Sequence, residues 1–541
     1  MDTLRVVIAL PSSTYEEFSS PISQLCIYPF GLNCEGGKTQ EPWSQVLEAT
    51  NFGHACPQII LSDLPDADKW AANRPLSEDC LFLNIWAPHP QPSTPAPVLV
   101  WIHGGGYYFI GTGSLDFYNG ASLAATENVI VVSMNYRLGA LGFLYLPPAV
   151  PGNMGLWDQQ LALTWVKENA AAFGGDPNRV TILGHSAGAA SVGFHLLSPK
   201  SESLFAHAVL QSGAPNAIWA WSSPDEVKQK SLLFSKLMGC KEGNESEIVT
   251  CLQGKTTEFP QNEASIHTVS NVPVAPPFSP TIDGDFLPDD PQKLLEMGRI
   301  QIKPTLIGFT SDEGSIFTLL LFPGTNRSLI SLKLFQTVIQ LALQNVTDAA
   351  AQAIALKYAE DIDIPVLNFS SLSQALGDSL FVCPAAQFAA KSREAGSPVY
   401  TYSFSHRTPG SLWPEWAGAP HGTEVPYMFG TLDSALGVNQ TCREAEAELS
   451  HRVMRYWAEF ARSGNPTGPE VSEVAWPLYN ATQQNFFHLG TEPSEVLQIS
   501  PARHCDLLKR LSGNPKIKEE ESTFPGKEKD GVSSLQQQES P

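Results

Sequence analysis

Basic residues are scarce in this chain of 541 residues: 33 Lys and Arg stand against 55 Asp and Glu, a formal net charge of −22. A surface this acidic repels phosphate backbones, which excludes nucleic acid as a partner; it draws in cations instead. Metal-cluster spacing is also lacking. None of the nine cysteines lies in a Cys-x-x-Cys pair, so no metal site is expected, and nothing calls for a cofactor. No run of about 18 apolar residues occurs, which excludes an ordinary transmembrane helix. The apolar stretch Val6 to Leu10 is too short for the core of a secretory signal. There is no internal repeat, and no linker before about residue 510. The final segment, "KIKEEESTFPGKEKDGVSSLQQQESP", is polar and nearly free of apolar residues, so residues 512–541 are expected to be a disordered tail.

What remains is ample material for one large core, with 43% hydrophobic and only 16% charged residues. Short β-branched runs alternate with longer helical patterns. "APVLVWIHGG" (96–105), "VIVVSMNYR" (129–137), "RVTILGH" (179–185), "AHAVLQSG" (206–213), "PTLIGFTSDEG" (304–314) and "VYTYSFS" (399–405) read as buried strands. "WDQQLALTWVKENAAAFGG" reads as a helix with Leu161, Trp165 and Ala172 near one face. "AEAELSHRVMRYWAEFARSGNP" is another, with Leu449, Val453, Tyr456, Trp457 and Phe460 at helical spacing. This alternation predicts a single α/β domain: a large, mostly parallel sheet with helices on both faces.

Gly184-His185-Ser186-Ala187-Gly188 falls between a β run and a helix. Gly-x-Ser-x-Gly in that context is the nucleophile-elbow pattern, although the pentapeptide alone is only a small-residue turn. A nucleophilic serine needs a base, and the base needs an orienting acid. His421 stands in the Gly/Pro-rich "WAGAPHGTEVPYMFG". Asp312 and Glu313 lie at the end of an apolar strand, where ligand sites of open α/β sheets gather. Spacing does not choose between these two carboxylates. "WIHGGGYY" supplies glycines just after a strand, as an oxyanion loop requires.

With "PLSEDCLFLNIWAP", "WIHGGGYY", "MNYRLGALGFL", "GNMGLWDQQLALTWVKENAAAFGGDPNRVTILGHSAGAASVG" and "LWPEWAGAPHG", the chain resembles the type-B carboxylesterase/lipase family of α/β-hydrolases, and its cholinesterase branch. The likeness runs over about residues 40–511. It implies a serine ester hydrolase acting through an acyl-enzyme on a small-molecule ester, with Ser186 as nucleophile, His421 as base and Glu313 as its orienting acid. Oxyanion donors would be Gly105, Gly106 and Ala187. Disulfides carry over as Cys56–Cys80, Cys240–Cys251 and Cys383–Cys505, leaving Cys26, Cys34 and Cys442. An ion pair between Glu78 and Arg137 is implied as well. With the six Asn-x-Ser/Thr sites (Asn244, Asn326, Asn345, Asn368, Asn439 and Asn480), the cysteines point to an extracellular glycoprotein. The resemblance leaves a homo-oligomer open.

The substrate side departs from the branch. Trp70 matches its choline-binding tryptophan and Trp219 the tryptophan beside the acyl group. His185 stands where the branch carries glutamate; titrating near 6.5, it would repel a cation at low pH. Ile316 replaces a gorge aromatic while Phe317 is kept, and Thr423 replaces the tyrosine that follows His-Gly. Val274 and Pro276 replace the phenylalanines of acetyl-selective members, which predicts a roomy, butyryl-like acyl pocket and hydrolysis of choline esters. Residues 1–39 show none of the family's opening strands, so missing edge strands and impaired folding and export are expected. The competing class is a non-catalytic, neuroligin-type adhesion protein. Such relatives usually lose a member of the triad, and this chain keeps all three.

Overall fold

The computed structural model describes residues 2–9 (backbone only), 49–59, 67–109, 111–240, 243–255, 263, 276–322, 329–343, 346–360, 367–435, 444–468 and 474–512. The expectations for Val274, Cys26, Cys34, Cys442 and the tail beyond 512 lie outside them, as do the sites at Asn326, Asn345 and Asn439.

All six expected strands form. They are β3 (Ala96–Ile102), β4 (Ile130–Met134), β5 (Gly175–His185), β6 (His207–Gln211), β7 (Thr305–Thr310) and β8 (Val399–Phe404). Three more complete the sheet: β1 (Asp2–Ala9), β2 (Phe82–His89) and β9 (Phe487–Leu489). The order is β1-β2-β4-β3-β5-β6-β7-β8-β9. β1–β2 and β2–β4 are antiparallel, and the pairs from β4–β3 onward are parallel.

Residue alternation in the central strands explains their complete burial, because both faces are covered. Val98, Val100, Ile102, Ile182, Leu210 and Ile307 enter one core. Leu99, Trp101, Leu183, Val209, Leu306 and Tyr402 enter the other. Helices Met154–Asn169 and Ala187–Leu197 pack into the first core, and Glu444–Ser463 into the second. The five expected apolar positions of that last helix are all buried. The first helix differs from its expected face. It buries Leu156, Ala162, Leu163, Trp165 and Val166, leaves Leu161 partly buried, and ends at Asn169, so Ala172 lies beyond it and is exposed. A helix wedged against the sheet buries more than one stripe, and a stripe chosen from three residues misses this.

The N-terminus also corrects its expectation. Asp2–Ala9 is an edge strand, running antiparallel on β2 from Asp2↔His89 to Ala9↔Phe82. The run Val6-Val7-Ile8, too short for a signal core, suits a strand that satisfies the backbone groups of β2. Arg137 gives another correction. It is bidentate on Asp158, at 2.7 and 2.6 Å, and not paired with Glu78. Asp158 is buried one turn into the helix that begins at Met154. A planar guanidinium fork satisfies that carboxylate fully.

Three disulfides join Cys56–Cys80, Cys240–Cys251 and Cys383–Cys505. Their sequence separations are 24, 11 and 122. Loop-closure entropy grows with the logarithm of that separation, so the last bridge should stabilise by roughly 2 kcal/mol more than the second. Replacing Cys383 and Cys505 by serine should lower the denaturation midpoint more than the same change at Cys240 and Cys251. Equal losses in a chemical-denaturation series would show that local packing, not chain entropy, sets the effect.

Candidate active site

The parallel strands deliver their C-terminal ends to one edge. β3 leads into His103–Gly106, β5 into Ser186, β6 into Ser212, β7 into Asp312 and Glu313, and β8 into the long loop carrying His421. Open α/β sheets bind ligands at this edge.

Ser186 joins β5 to helix Ala187–Leu197 at φ 58° and ψ −121°. A non-glycine residue there is strained by about 1–3 kcal/mol and persists only where its surroundings impose it. They do so here. The Ser186 N–H donates to the Gln211 carbonyl at 2.8 Å. A side chain at Gly188 would fall on the Ile102 carbonyl. A Cβ at Gly104 would come within 2.6 Å of the His185 carbonyl and 3.1 Å of the Ser186 Cβ. The glycine loop therefore lies directly against Ser186. Gly105 and Gly106 follow with φ of 103° and 57°. Ala187 is the first residue of its helix, so its N–H has no intrahelical acceptor. Beneath the loop, His103 stacks on Tyr136 at 4.4 Å, and the Tyr136 hydroxyl donates to the His103 carbonyl.

The two carboxylates that spacing left undivided have different partners. Glu313 Oε2 lies 2.5 Å from His421 Nδ1, 108 residues away in sequence. Its Oε1 accepts from the Thr310 N–H at 2.8 Å. Asp312 instead accepts from the Ala419 N–H at 2.9 Å and the Ser311 hydroxyl at 2.6 Å. One residue holds the imidazole and its neighbour holds the loop that carries it. With a proton on Nδ1 directed at Glu313, Nε2 of His421 is left as an acceptor.

Rings flank His421 on two sides. His185 lies 4.4 Å away between centroids, and Trp70 stands 6.5 Å from His185 and 4.7 Å from Phe117. On the other side are Phe381 at 4.7 Å and Phe317 at 6.4 Å. Trp219 packs on Phe381 at 5.6 Å and donates its Nε1–H to the Leu380 carbonyl. Ile316 is half-buried on the helix that carries Phe317. Pro276 is buried, with its carbonyl accepting from Lys230. No motif marks Phe381, which reaches the site from a π-helical turn at Asp378–Val382. Glu424 is likewise unmarked. It is fully buried and accepts from Gln211, which accepts in turn from the Trp457 indole.

Burial governs the charges. It lowers His421 to about 3 and raises Glu313 to about 7, with the Ser212 and Thr310 hydroxyls and the Thr310 N–H opposing that rise. For the coupled pair, the firm direction is that desolvation favours a neutral imidazole. Burial, with a smaller effect of Glu313, raises Glu424 to about 8, which keeps it protonated near neutral pH. His185 is 3% exposed, and burial, then the nearby His421, drives its pKa well below 6.5. The expected titration of His185 near 6.5 is thereby corrected: this imidazole stays neutral.

The sequence profile of the carboxylesterase family matches residues 35–508. Acetylcholinesterase of Bungarus fasciatus is 44% identical over 498 residues, which cover 89% of this chain and 81% of that protein. Cholinesterase of Mus musculus is 41% identical over 474 residues, 86% of this chain and 78% of its own. The nine-stranded sheet, mostly parallel and covered by helices on both faces, is consistent with the α/β-hydrolase fold. Similarity of this extent and length means that the chain belongs to the carboxylesterase family, as a carboxylic ester hydrolase of cholinesterase-like sequence.

Proposed function

We propose that Ser186, His421 and Glu313 are the catalytic triad of this esterase. The Ser186 hydroxyl attacks the ester carbonyl while His421 Nε2 takes its proton. The N–H groups of Gly105, Gly106 and Ala187 receive the developing oxyanion. Collapse of the tetrahedral intermediate breaks the bond to the alcohol, which leaves with the proton from His421. Water then attacks the acyl-enzyme by the same route, and the acid departs. The observation that carries this reading is the strained Ser186 held against the glycine loop. The 2.5 Å contact of Glu313 with His421 supports it. Labelling of Ser186 by an organophosphate separates it from a non-catalytic adhesion role.

The catalytic unit is read as residues 40–511, followed by a polar tail. Export and glycosylation are proposed from the disulfides and from the exposed Asn244 and Asn480. The substrates are proposed to include choline esters, as the names of the two relatives suggest. Trp70 would receive the cation on its face.

Replacing Ser186 by alanine should lower kcat by several decades, on the order of 10⁴-fold or more, with the fold intact by circular dichroism. Glu313→Gln should also be severe. Asp312→Asn should mainly cost stability, about 1 kcal/mol, because an amide oxygen still accepts from Ala419. The reverse order in kcat would reassign the orienting acid.

Val274 and Pro276 leave volume beside the acyl group, and each methylene buried in a dry pocket gains about 0.8 kcal/mol. Butyryl esters should therefore exceed acetyl esters several-fold in kcat/KM. A clear acetyl preference would mean that other residues close the pocket.

A carboxylate at position 185 would attract a choline head group by roughly 4 kcal/mol at 4 Å and an effective dielectric of about 20, before desolvation. The neutral His185 neither attracts nor repels. His185→Glu should raise the ratio of choline to isosteric neutral ester turnover, and an unchanged ratio would remove His185 from cation selection. In the parent enzyme that ratio should stay constant from pH 8 to pH 6, since a lowered pKa keeps His185 neutral throughout. The lowered pKa of His421 sets the acid limb of kcat/KM below 6.5: activity is full above the folded pKa and lost as pH falls through it. Both follow from one pH–rate series on the two substrates.

A further inference from the structure

A cleft of about 670 Å³ opens to solvent beside His421. Its inner end is formed by Trp70, His421 and Gly422. Its outer walls include Phe117, Thr408, Leu412, Trp413 and Tyr427. It therefore begins at the residue proposed to hand a proton to the departing alcohol, and it ends at the surface, where Leu412 is 67% exposed.

Two residues keep the inner end open. Gly422 has φ 87°, and a Cβ there would lie 3.0 Å from Trp70 and 3.1 Å from the His185 ring. Any side chain would fill the junction between the two. The Thr423 hydroxyl donates to the Pro420 carbonyl, so this short side chain is tied to its own turn. The resembling branch has a tyrosine at that position. The outer wall is built rather than loose. Arg407 donates to the Trp413 carbonyl at 2.8 Å, and the hydroxyls of Thr408 and Tyr427 meet at 3.0 Å.

The placement of rings around His421 gives the cleft a direction. Phe317, Phe381 and Trp219 lie on the acyl side. Trp70 and Gly422 lie on the side of His185. An ester with its carbonyl at Ser186 and its acyl group toward Phe381 points its alcohol portion toward Trp70. The cleft continues that line. Its walls are aromatic and aliphatic with a few hydroxyls, which suits rings and uncharged polar groups. Lys69, the charged side chain in its lining besides His421, is itself a cation and disfavours a second cation at the far end.

We propose that this cleft is a leaving-group subsite, held open by Thr423, that takes the long, ring-bearing, uncharged alcohol portion of an ester. The inference rests on the triad and substrate orientation proposed above. It makes the alcohol, as well as the acyl group, a determinant of selectivity.

The test uses ethyl, 2-phenylethyl and 2-(4-biphenylyl)ethyl butyrate, three esters with one acyl group and alcohols of similar acidity. The readout is kcat/KM relative to ethyl butyrate within each protein. The parent enzyme should favour the biphenylyl ester at least ~10-fold, as burial of two rings allows. Thr423→Tyr, which narrows the inner end, should lose most of that ratio. Leu412→Glu, at the exposed outer rim where folding is not at stake, should lose part of it for the biphenylyl ester and little for the phenyl ester. A flat series in the parent enzyme overturns the subsite while leaving the esterase mechanism standing. A length preference that survives both substitutions also overturns it, by placing the alcohol elsewhere. If Ser186 takes no organophosphate label and none of the three esters turns over, the proposed triad fails, and the subsite with it.

Discussion

The backbone turn at Ser186 is the constraint on which the rest of the site depends. A serine at φ 58° and ψ −121° is stable only if the chain on every side forbids relaxation. That requirement accounts for the absence of side chains at Gly104 and Gly188, where a Cβ would collide with backbone. It also requires β3, β5 and β6 to be parallel neighbours, since Ile102, His185 and Gln211 then end side by side. The large buried sheet is the rigid body that holds this turn. Its two cores resist the distortions that would let Ser186 slip back to an ordinary conformation.

Burial then sets the electrical character of the site. Glu313, Glu424, His185 and His421 converge in a volume from which water is largely removed. Their ordinary charges cannot all persist there. Desolvation favours neutral imidazoles at 185 and 421 and a protonated Glu424. Glu313 sits among hydrogen-bond donors that Glu424 lacks, at Thr310, Ser212 and His421. Two glutamates in similar burial are thus pushed toward different roles by their local donors. A net charge of −22 over the whole chain says nothing about this inner balance, because surface charge is screened and the buried groups are not.

The Asp312–Glu313 pair shows how neighbours divide a task. Successive residues leaving a strand point in different directions, so one carboxylate reaches the imidazole and the other the backbone of the preceding loop residues. The contact with Ala419 keeps the His421 loop docked to the end of β7. Tethers of that kind matter because a loop without regular structure has no internal ladder to fix a side chain to a fraction of an ångström.

The sequence by itself determined the six central strands, the helix at Glu444–Ser463, the elbow pentapeptide and the glycine loop. Each is a local pattern: alternating burial, helical spacing, or glycines that only a tight approach requires. Resemblance added Glu313 over Asp312 and the three disulfide pairings, which local spacing left open. Tertiary structure decided the rest. The edge strand Asp2–Ala9 depends on the free edge of β2, more than 70 residues away, and no local period announces such a partner. The partner of Arg137 depended on where the helix from Met154 places Asp158. Phe381 and Glu424 come from segments without a motif, and only packing brings them to His421 and Glu313. His185 was visible as a departure, yet its neutrality was not, because a pKa is set by the water that folding removes.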